Sequence, residues 1–209
     1  DKPGLLVLQQ MSSLPIGHAK EVRHTFSVTA LSIDVTRKAS AVMWRHVGLP
    51  HDCIRLLSLK NSALGRKGVL LIAENAVLFV SADGCAGLAT NGFAAVTVEE
   101  HVPLQPWPYK VGMELDASVW AQVGPMELVA SLKDGRLLRL SLATPKLGGA
   151  QVQFSVQLMC KAQRCHAICV SSGNEASGDK LLWLGSAGSS SSLVRMQPPI
   201  KFYSGSRLR

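Results

Sequence analysis

Cys160, Cys165, His166 and Cys169 come nearest to a metal site, in the order Cys-x4-Cys-His-x2-Cys. Thiolate and imidazole are ligands that Zn(II) prefers. A structural zinc site gathers its thiolates at a turn, whereas Cys165-His166-Ala167-Ile168-Cys169-Val170 reads as a strand. Residues four apart on a strand share a face but sit about 13 Å apart, too far to share one ion. Buried structural cysteines are the better reading. His51-Asp52 beside Cys53 sets a base next to a nucleophile, yet neighbours on an extended chain point to opposite sides and make no triad by adjacency. Leu49-Pro50-His51-Asp52 reads instead as a turn into a strand, with Asp52 accepting from nearby backbone amides. The serine run Ser189–Ser192 holds no Gly-x-Ser-x-Gly elbow, and no helix follows it. Phosphate-cradling glycine motifs are absent, and Glu99-Glu100 are adjacent rather than spaced as an acid–base pair. The residues therefore predict a protein that is not an enzyme, with no catalytic, cofactor or metal site.

Charge offers another kind of chemistry. The 22 Lys and Arg against 14 Asp and Glu give a net charge of +8, which permits an anionic partner and equally serves solubility. Lys60, Arg66 and Lys67 flank one loop, and Lys133, Arg136 and Arg139 lie on a hairpin. Arg136 and Arg139 are three apart, so on a strand they face opposite ways. Recognition of single-stranded RNA needs aromatic platforms beside the charge. Trp107 and Tyr109 with Lys110 are the one such combination, and docking of that loop on a neighbouring domain or subunit is the stronger reading.

These residues must be held by strands. Hydrophobic residues make up 47% of the 209 and charged residues 17%, the reverse of a disordered chain. No apolar run approaches the roughly 18–20 residues of a spanning helix, which argues against a membrane protein. The chain opens on Asp1 rather than Met and shows no signal peptide, pointing to a piece of a longer chain. Five cysteines, an odd number set in apolar runs, point to a reducing compartment. Helical periodicity is missing throughout. Short Val-, Leu- and Ile-rich runs alternate with Gly, Pro, Ser, Asn and Asp clusters instead.

Three hairpins stand out: 69–73 with 76–80 around Glu74-Asn75, 127–132 with 136–142 around Asp134-Gly135, and 180–185 with 192–196 around Ala187-Gly188-Ser189. Asp-Gly predicts a two-residue turn with both residues at positive φ. Further strands are predicted over 53–59, 115–121 and 165–171, and before these over 26–35, 41–47, 94–98 and 152–158. The proline-rich 101–112 cannot be a central strand. The segment 173–179 reads as a mobile loop, and the tail from Pro198 carries Lys201, Arg207 and Arg209 without pattern. Asn75, Gly135 and Gly188 recur every 50–60 residues, the pitch of a propeller blade with generous loops. At that pitch the chain supplies three to four blades, and a seven-bladed ring needs about twice the length. A β-sandwich remains the alternative.

Certain motifs resemble a known family. Leu49-Pro50-His51-Asp52-Cys53, followed by Gly68-Val69-Leu70-Leu71-Ile72-Ala73-Glu74-Asn75-Ala76-Val77-Leu78, is similar to the largest-subunit family of the cleavage and polyadenylation specificity factor. Residues 27–38 and Val42-Met43-Trp44 upstream, and Gly87-Leu88-Ala89-Thr90-Asn91-Gly92, 128–135 and 182–186 downstream, keep the family's order and spacing. The likeness runs from about Pro3 to Met196. It departs where Arg66-Lys67 split Gly65 from Gly68, and where Ser189 and Ser190 replace the third turn's Gly and Asn.

The resemblance implies an all-β fold, with residues 1–209 forming part of the first of three seven-bladed propellers. The large subunit of the UV-damaged-DNA-binding factor shares that architecture. It also implies a nuclear, non-catalytic scaffold that holds a zinc-finger subunit and a WD-repeat subunit and meets pre-mRNA through them, with no membrane and no cofactor. It identifies no partner-binding residues. The rivals are a module that touches pre-mRNA directly through basic loops, and a paralogous scaffold of a ubiquitin ligase or of the spliceosome.

Overall fold

The computed structural model describes residues 4–10, 26–59, 68–143, 152–172, 179–188 and 190–197. Lys60, Arg66, Lys67, the 173–178 loop, Ser189 and the tail from Pro198 lie outside the described residues. Sheet I holds β1 (Gly4–Gln10), β2 (Phe26–Asp34) and β3 (Ala39–Leu49). Sheet II runs β4 (Cys53–Ser58), β5 (Gly68–Ala73), β6 (Ala76–Ser81) and β7 (Gly84–Ala89). The short helix α1 (Ala94–Thr97) follows, and then β8 (Leu104–Gln105) joins the same sheet parallel to β7. Sheet III holds β9 (Val119–Gly124), β10 (Glu127–Ser131), β11 (Arg136–Ala143) and β12 (Gln153–Lys161). Sheet IV holds β13 (Ala167–Ser172), β14 (Lys180–Gly185) and β15 (Ser192–Met196).

Each sheet is an antiparallel meander, sheet II with β8 added in parallel at its edge, and the sheets stack in chain order. The side-chain period of two explains how. On β5, Val69 and Leu71 face sheet I, packing with Val28 and Leu49, while Leu70 and Ile72 face sheet III, packing with Leu128 and Leu138. On β10, Leu128 and Ala130 pack toward sheet II while Val129 packs with Leu182 and Leu184 of sheet IV. Strands covered on both faces read as unbroken apolar runs, which is why Val69–Ala73 and Ala76–Val80 show no alternation. Sheets in series, each covered by the next, are propeller blades. Two facing sheets would make a sandwich, and that alternative falls.

All six hairpin strands lie where the pattern puts them, with bounds within a residue. Four local expectations are corrected. First, the Asp134-Gly135 turn has a single positive φ, 85° at Gly135. Gly135 N–H donates to the Leu132 carbonyl and Leu132 N–H to the Arg136 carbonyl, both at 2.9 Å. This is a three-residue loop closed by a left-handed glycine. Second, the strand expected over 94–98 is instead the single-turn helix α1 (Ala94–Thr97) with Val98 as its extended C-cap, because Val98 N–H returns to the Ala94 carbonyl at 2.9 Å and both side chains reach the core. Third, the strand placed at 115–121 starts at Val119. Ala117 turns the chain at φ 50°, with Ser118 N–H on the Leu115 carbonyl at 3.1 Å. Fourth, β13 starts at Ala167, so Cys165 precedes it. Strands β1, β7 and β8 had no strong signal: β7 is Gly84-Cys85-Ala86-Gly87-Leu88-Ala89, too small-sided to read as a strand.

Candidate interaction surface

The motif residues of the resemblance converge at one rim of sheet II. Asp52 ends the turn before β4, Asn75 sits in the β5–β6 turn, and Asn91 follows β7. Asn75 Nδ2 donates to Asp52 Oδ2 at 2.7 Å, and Asn91 Nδ2 donates to Asn75 Oδ1 at 2.9 Å and to the Met113 carbonyl at 2.9 Å. Backbone bonds run alongside: Glu74 N–H to Asp52 O at 3.1 Å, Thr90 N–H to Asn75 O at 2.9 Å, and Leu115 N–H to Glu74 O at 2.8 Å. Two amides and a carboxylate thus tie the loops of sheet II to the segment entering sheet III. The Asp52 carboxylate, expected on nearby backbone amides, accepts instead from the Asn75 side-chain amide across the rim.

Beside this junction a cleft of about 300 Å³ opens between sheets II and III. Phe93, Met113, Leu132, Glu114, Lys133 and Arg136 are among its walls. Lys133 Nζ bridges Glu114 Oε2 at 2.6 Å and Asp116 Oδ1 at 2.9 Å, and these bonds push its ammonium pKa above the ordinary lysine value. Arg136 Nε pairs with Asp134 Oδ2 at 2.5 Å. Partial burial works against Asp134's charge, but the Arg136 amide, its guanidinium and nearby Lys161 outweigh it and hold the carboxyl below its usual range. Arg139 is buried and pairs with Glu127 Oε1 at 2.7 Å, on the face opposite to Arg136 as its spacing required. All three cations of the hairpin are therefore in ion pairs.

The proline loop packs against β12 of the same chain. Gln105 Oε1 accepts from Phe154 N–H at 2.7 Å, and Tyr109 Oη donates to the Val156 carbonyl and accepts from Leu158 N–H, both at 3.2 Å. Residues 154, 156 and 158 turn their backbone groups away from β11, so these side chains take the place of a further strand on the edge of β12. Trp107 donates to the Val111 carbonyl at 2.9 Å and stands edge-on to Tyr109 with ring centres 5.7 Å apart.

The cysteine cluster is scattered. Cys165 is buried between sheets III and IV, while Cys160 on β12 and Cys169 on β13 are exposed, against the expectation of buried thiols. His166 Nδ1 accepts from Ala187 N–H at 3.2 Å. Cys53 lies half-buried with its thiol on the Pro50 carbonyl at 2.9 Å, and His51 is exposed. Burial pushes the Cys53 thiol far up, and that of Cys85 to about 12. Exposed Phe93, Val96 and Val111 near the cleft went unmarked in the sequence, where single apolar residues in a loop carry no pattern.

Serial meander sheets of three to five strands make this chain a β-propeller segment of four blades. Its blades are similar to a stretch of cleavage and polyadenylation specificity factor subunit 1 from Arabidopsis thaliana, 30% identical over 142 residues, 68% of this chain and 9% of that protein. The probable subunit 1 of Oryza sativa is 28% identical over 69% of the chain, and that of Caenorhabditis elegans 27% over 74%. The chain is homologous to one segment of the subunit 1 family that its motifs resemble. It spans about a tenth of the length of the curated relatives it matches. No protein-family model matches it.

Proposed function

We propose that the chain is part of a non-catalytic scaffold in the nuclear machinery that cleaves and polyadenylates pre-mRNA. It contributes blades to the first, seven-bladed propeller of that scaffold. It helps assemble the zinc-finger and WD-repeat subunits that read the polyadenylation signal, and pre-mRNA is met through them. The homology to subunit 1 carries this reading. The rim geometry supports it, because a network of side chains fixes loops of two blades as one rigid surface, the kind of surface on which partners dock. Ion pairing of Lys133, Arg136 and Arg139 speaks against direct RNA contact through that hairpin, since a phosphate would have to displace a carboxylate already in place.

The test is affinity purification of the full chain from nuclear extract with mass spectrometry of what accompanies it. Near-stoichiometric polyadenylation-factor subunits support the proposal. Ubiquitin-ligase or spliceosomal subunits in their place would overturn it while leaving the fold intact.

A further inference from the structure

The sequence has a single Asn-Gly step, Asn91-Gly92, and it lies at the centre of the rim junction. In such a step the backbone nitrogen of the glycine can close on the side-chain carbonyl carbon before it, because glycine has no Cβ to stand in the way. The fold does not require a glycine here. Gly92 has no positive φ, and a Cβ built on it would meet nothing within 4 Å. Gly92 is also exposed, so water reaches the step. Asn75, the other asparagine of the junction, is followed by Ala76 instead.

We propose that Asn91 is a deamidation site, and that its conversion unlocks sheets II and III at this rim. The Gly92 nitrogen, having lost its proton to hydroxide, attacks Asn91 Cγ. The new Cγ–N bond closes a cyclic imide, and the Cγ–Nδ2 bond breaks as ammonia leaves with a proton from water. Water then opens the imide at either carbonyl carbon, leaving aspartate or its isomer with the backbone routed through Cγ. Water is consumed, ammonia is released, and nothing is oxidised or reduced. Nothing in this chemistry depends on which partners the propeller holds.

The junction has no use for either product. Asn91 Nδ2 donates to Asn75 Oδ1 and to the Met113 carbonyl, and Oδ1 accepts from Phe93 N–H, each at 2.9 Å. A carboxylate at position 91 keeps only the last of these bonds, and its other oxygen faces two acceptors. Turning the Asn75 amide does not repair this, because its nitrogen already serves Asp52 Oδ2 at 2.7 Å. The isomer lengthens the backbone by one carbon between Asn91 and Gly92. Two backbone bonds across the rim, Thr90 N–H to Asn75 O and Leu115 N–H to Glu74 O, then lose the side chains that brace them. The intact bonds also set the pace. The amide has to leave its acceptors as the ring closes, so conversion runs through local opening of the junction. Three bonds of ordinary strength slow it about a hundredfold relative to the unfolded chain. Loss of ammonia makes each conversion permanent.

The full chain, folded and in urea, is aged in mildly alkaline buffer made with heavy-oxygen water. Its peptides are mapped by mass spectrometry with fragmentation that separates aspartate from its isomer. Ageing lasts about a hundred half-times of the unfolded chain's conversion at position 91. The folded chain is expected to take up label there about a hundredfold more slowly than the unfolded one. Gly92→Ala, which fits the open space, should slow labelling about tenfold or more in both states. Asn75→Ala, which removes one of the three bonds, should speed it about fivefold in the folded chain. Amide hydrogen exchange reads the consequence. In the aged chain and in Asn91→Asp, exchange at Thr90 and Leu115 should rise about tenfold, while His166, bonded to Gly185 of sheet IV, is unchanged. No label at position 91 in the folded chain, equal labelling in Gly92→Ala, a folded rate indifferent to Asn75→Ala, or unchanged exchange at Thr90 and Leu115 after conversion would each overturn the proposal.

Discussion

Asn75→Asp should convert the rim junction into a pH-sensitive one. The amide donates to Asp52 Oδ2 at 2.7 Å and accepts from Asn91 Nδ2 at 2.9 Å. Exchanging the amide NH2 for a carboxylate oxygen removes a bond to a charged acceptor, worth about 1.5–3 kcal/mol. It also sets two negative groups in contact, and unit charges about 4 Å apart repel by about 4 kcal/mol at an effective dielectric of 20. The protein can escape by taking up a proton. At pH 7 that costs about 4 kcal/mol for a carboxyl whose unfolded pKa is about 3.9. Protonation is the cheaper route and caps the loss at about 4 kcal/mol at neutral pH. The new group's folded pKa lies above its unfolded one. Stability is therefore highest below about pH 4, where the protonated carboxyl donates to Asp52 as the amide did, and it falls as pH rises toward the folded pKa. Asn75→Ala loses the same hydrogen bonds without adding charge, at about 2 kcal/mol independent of pH. Urea unfolding of both variants beside the parent, from pH 4 to pH 8, reads the difference. Parallel profiles for the two variants would show that Asn75 does not face Asp52 as described.

Gly135→Ala should destabilise by about 2–4 kcal/mol, because φ is 85° and a Cβ would stand 2.1 Å from the Ala162 carbonyl oxygen; thermal unfolding checks it. Tyr109→Phe should speed hydrogen exchange at the Leu158 amide about tenfold while leaving Gln157, which pairs with Arg139, unchanged. Asp134 adds stability that is present above about pH 4 and is lost as pH falls through its lowered folded pKa, so Asp134→Asn should flatten the acid limb of the stability curve. Iodoacetamide at pH 8 should label exposed Cys160 and Cys169 well before Cys85, whose thiol is pushed up to about 12, as peptide mapping would show.

The hairpins were legible because their signals are local. Apolar runs bounded by Glu74-Asn75 or Asp134-Gly135 leave the chain little else to do. Turn geometry was less so: Asp-Gly fits both a two-residue and a three-residue loop, and the choice is made by Ala162, which donates to the Gly135 carbonyl at 2.8 Å from 27 residues further on. Helix α1 was missed for a similar reason. Four residues cannot display a helical period, and the turn that starts them is set by Asn91 Oδ1 accepting from Phe93 N–H just before the helix.

Function was harder to read, because the same residue types serve opposite ends. Trp107, Tyr109 and Lys110 had the composition of a stacking platform. Stacking needs a free ring face, but Tyr109 is tied through its hydroxyl to the edge of β12 and flanked by Trp107. A propeller built of meanders leaves the outer edge of every blade with unpaired backbone groups. Here a proline-rich segment that gives sheet II only the two residues of β8 supplies side-chain donors and acceptors to the edge of β12. The hairpin cations follow the same logic. They were weighed as a basic group, and each meets a carboxylate contributed by a neighbouring turn or strand. A net charge summed over the sequence says nothing about this pairing.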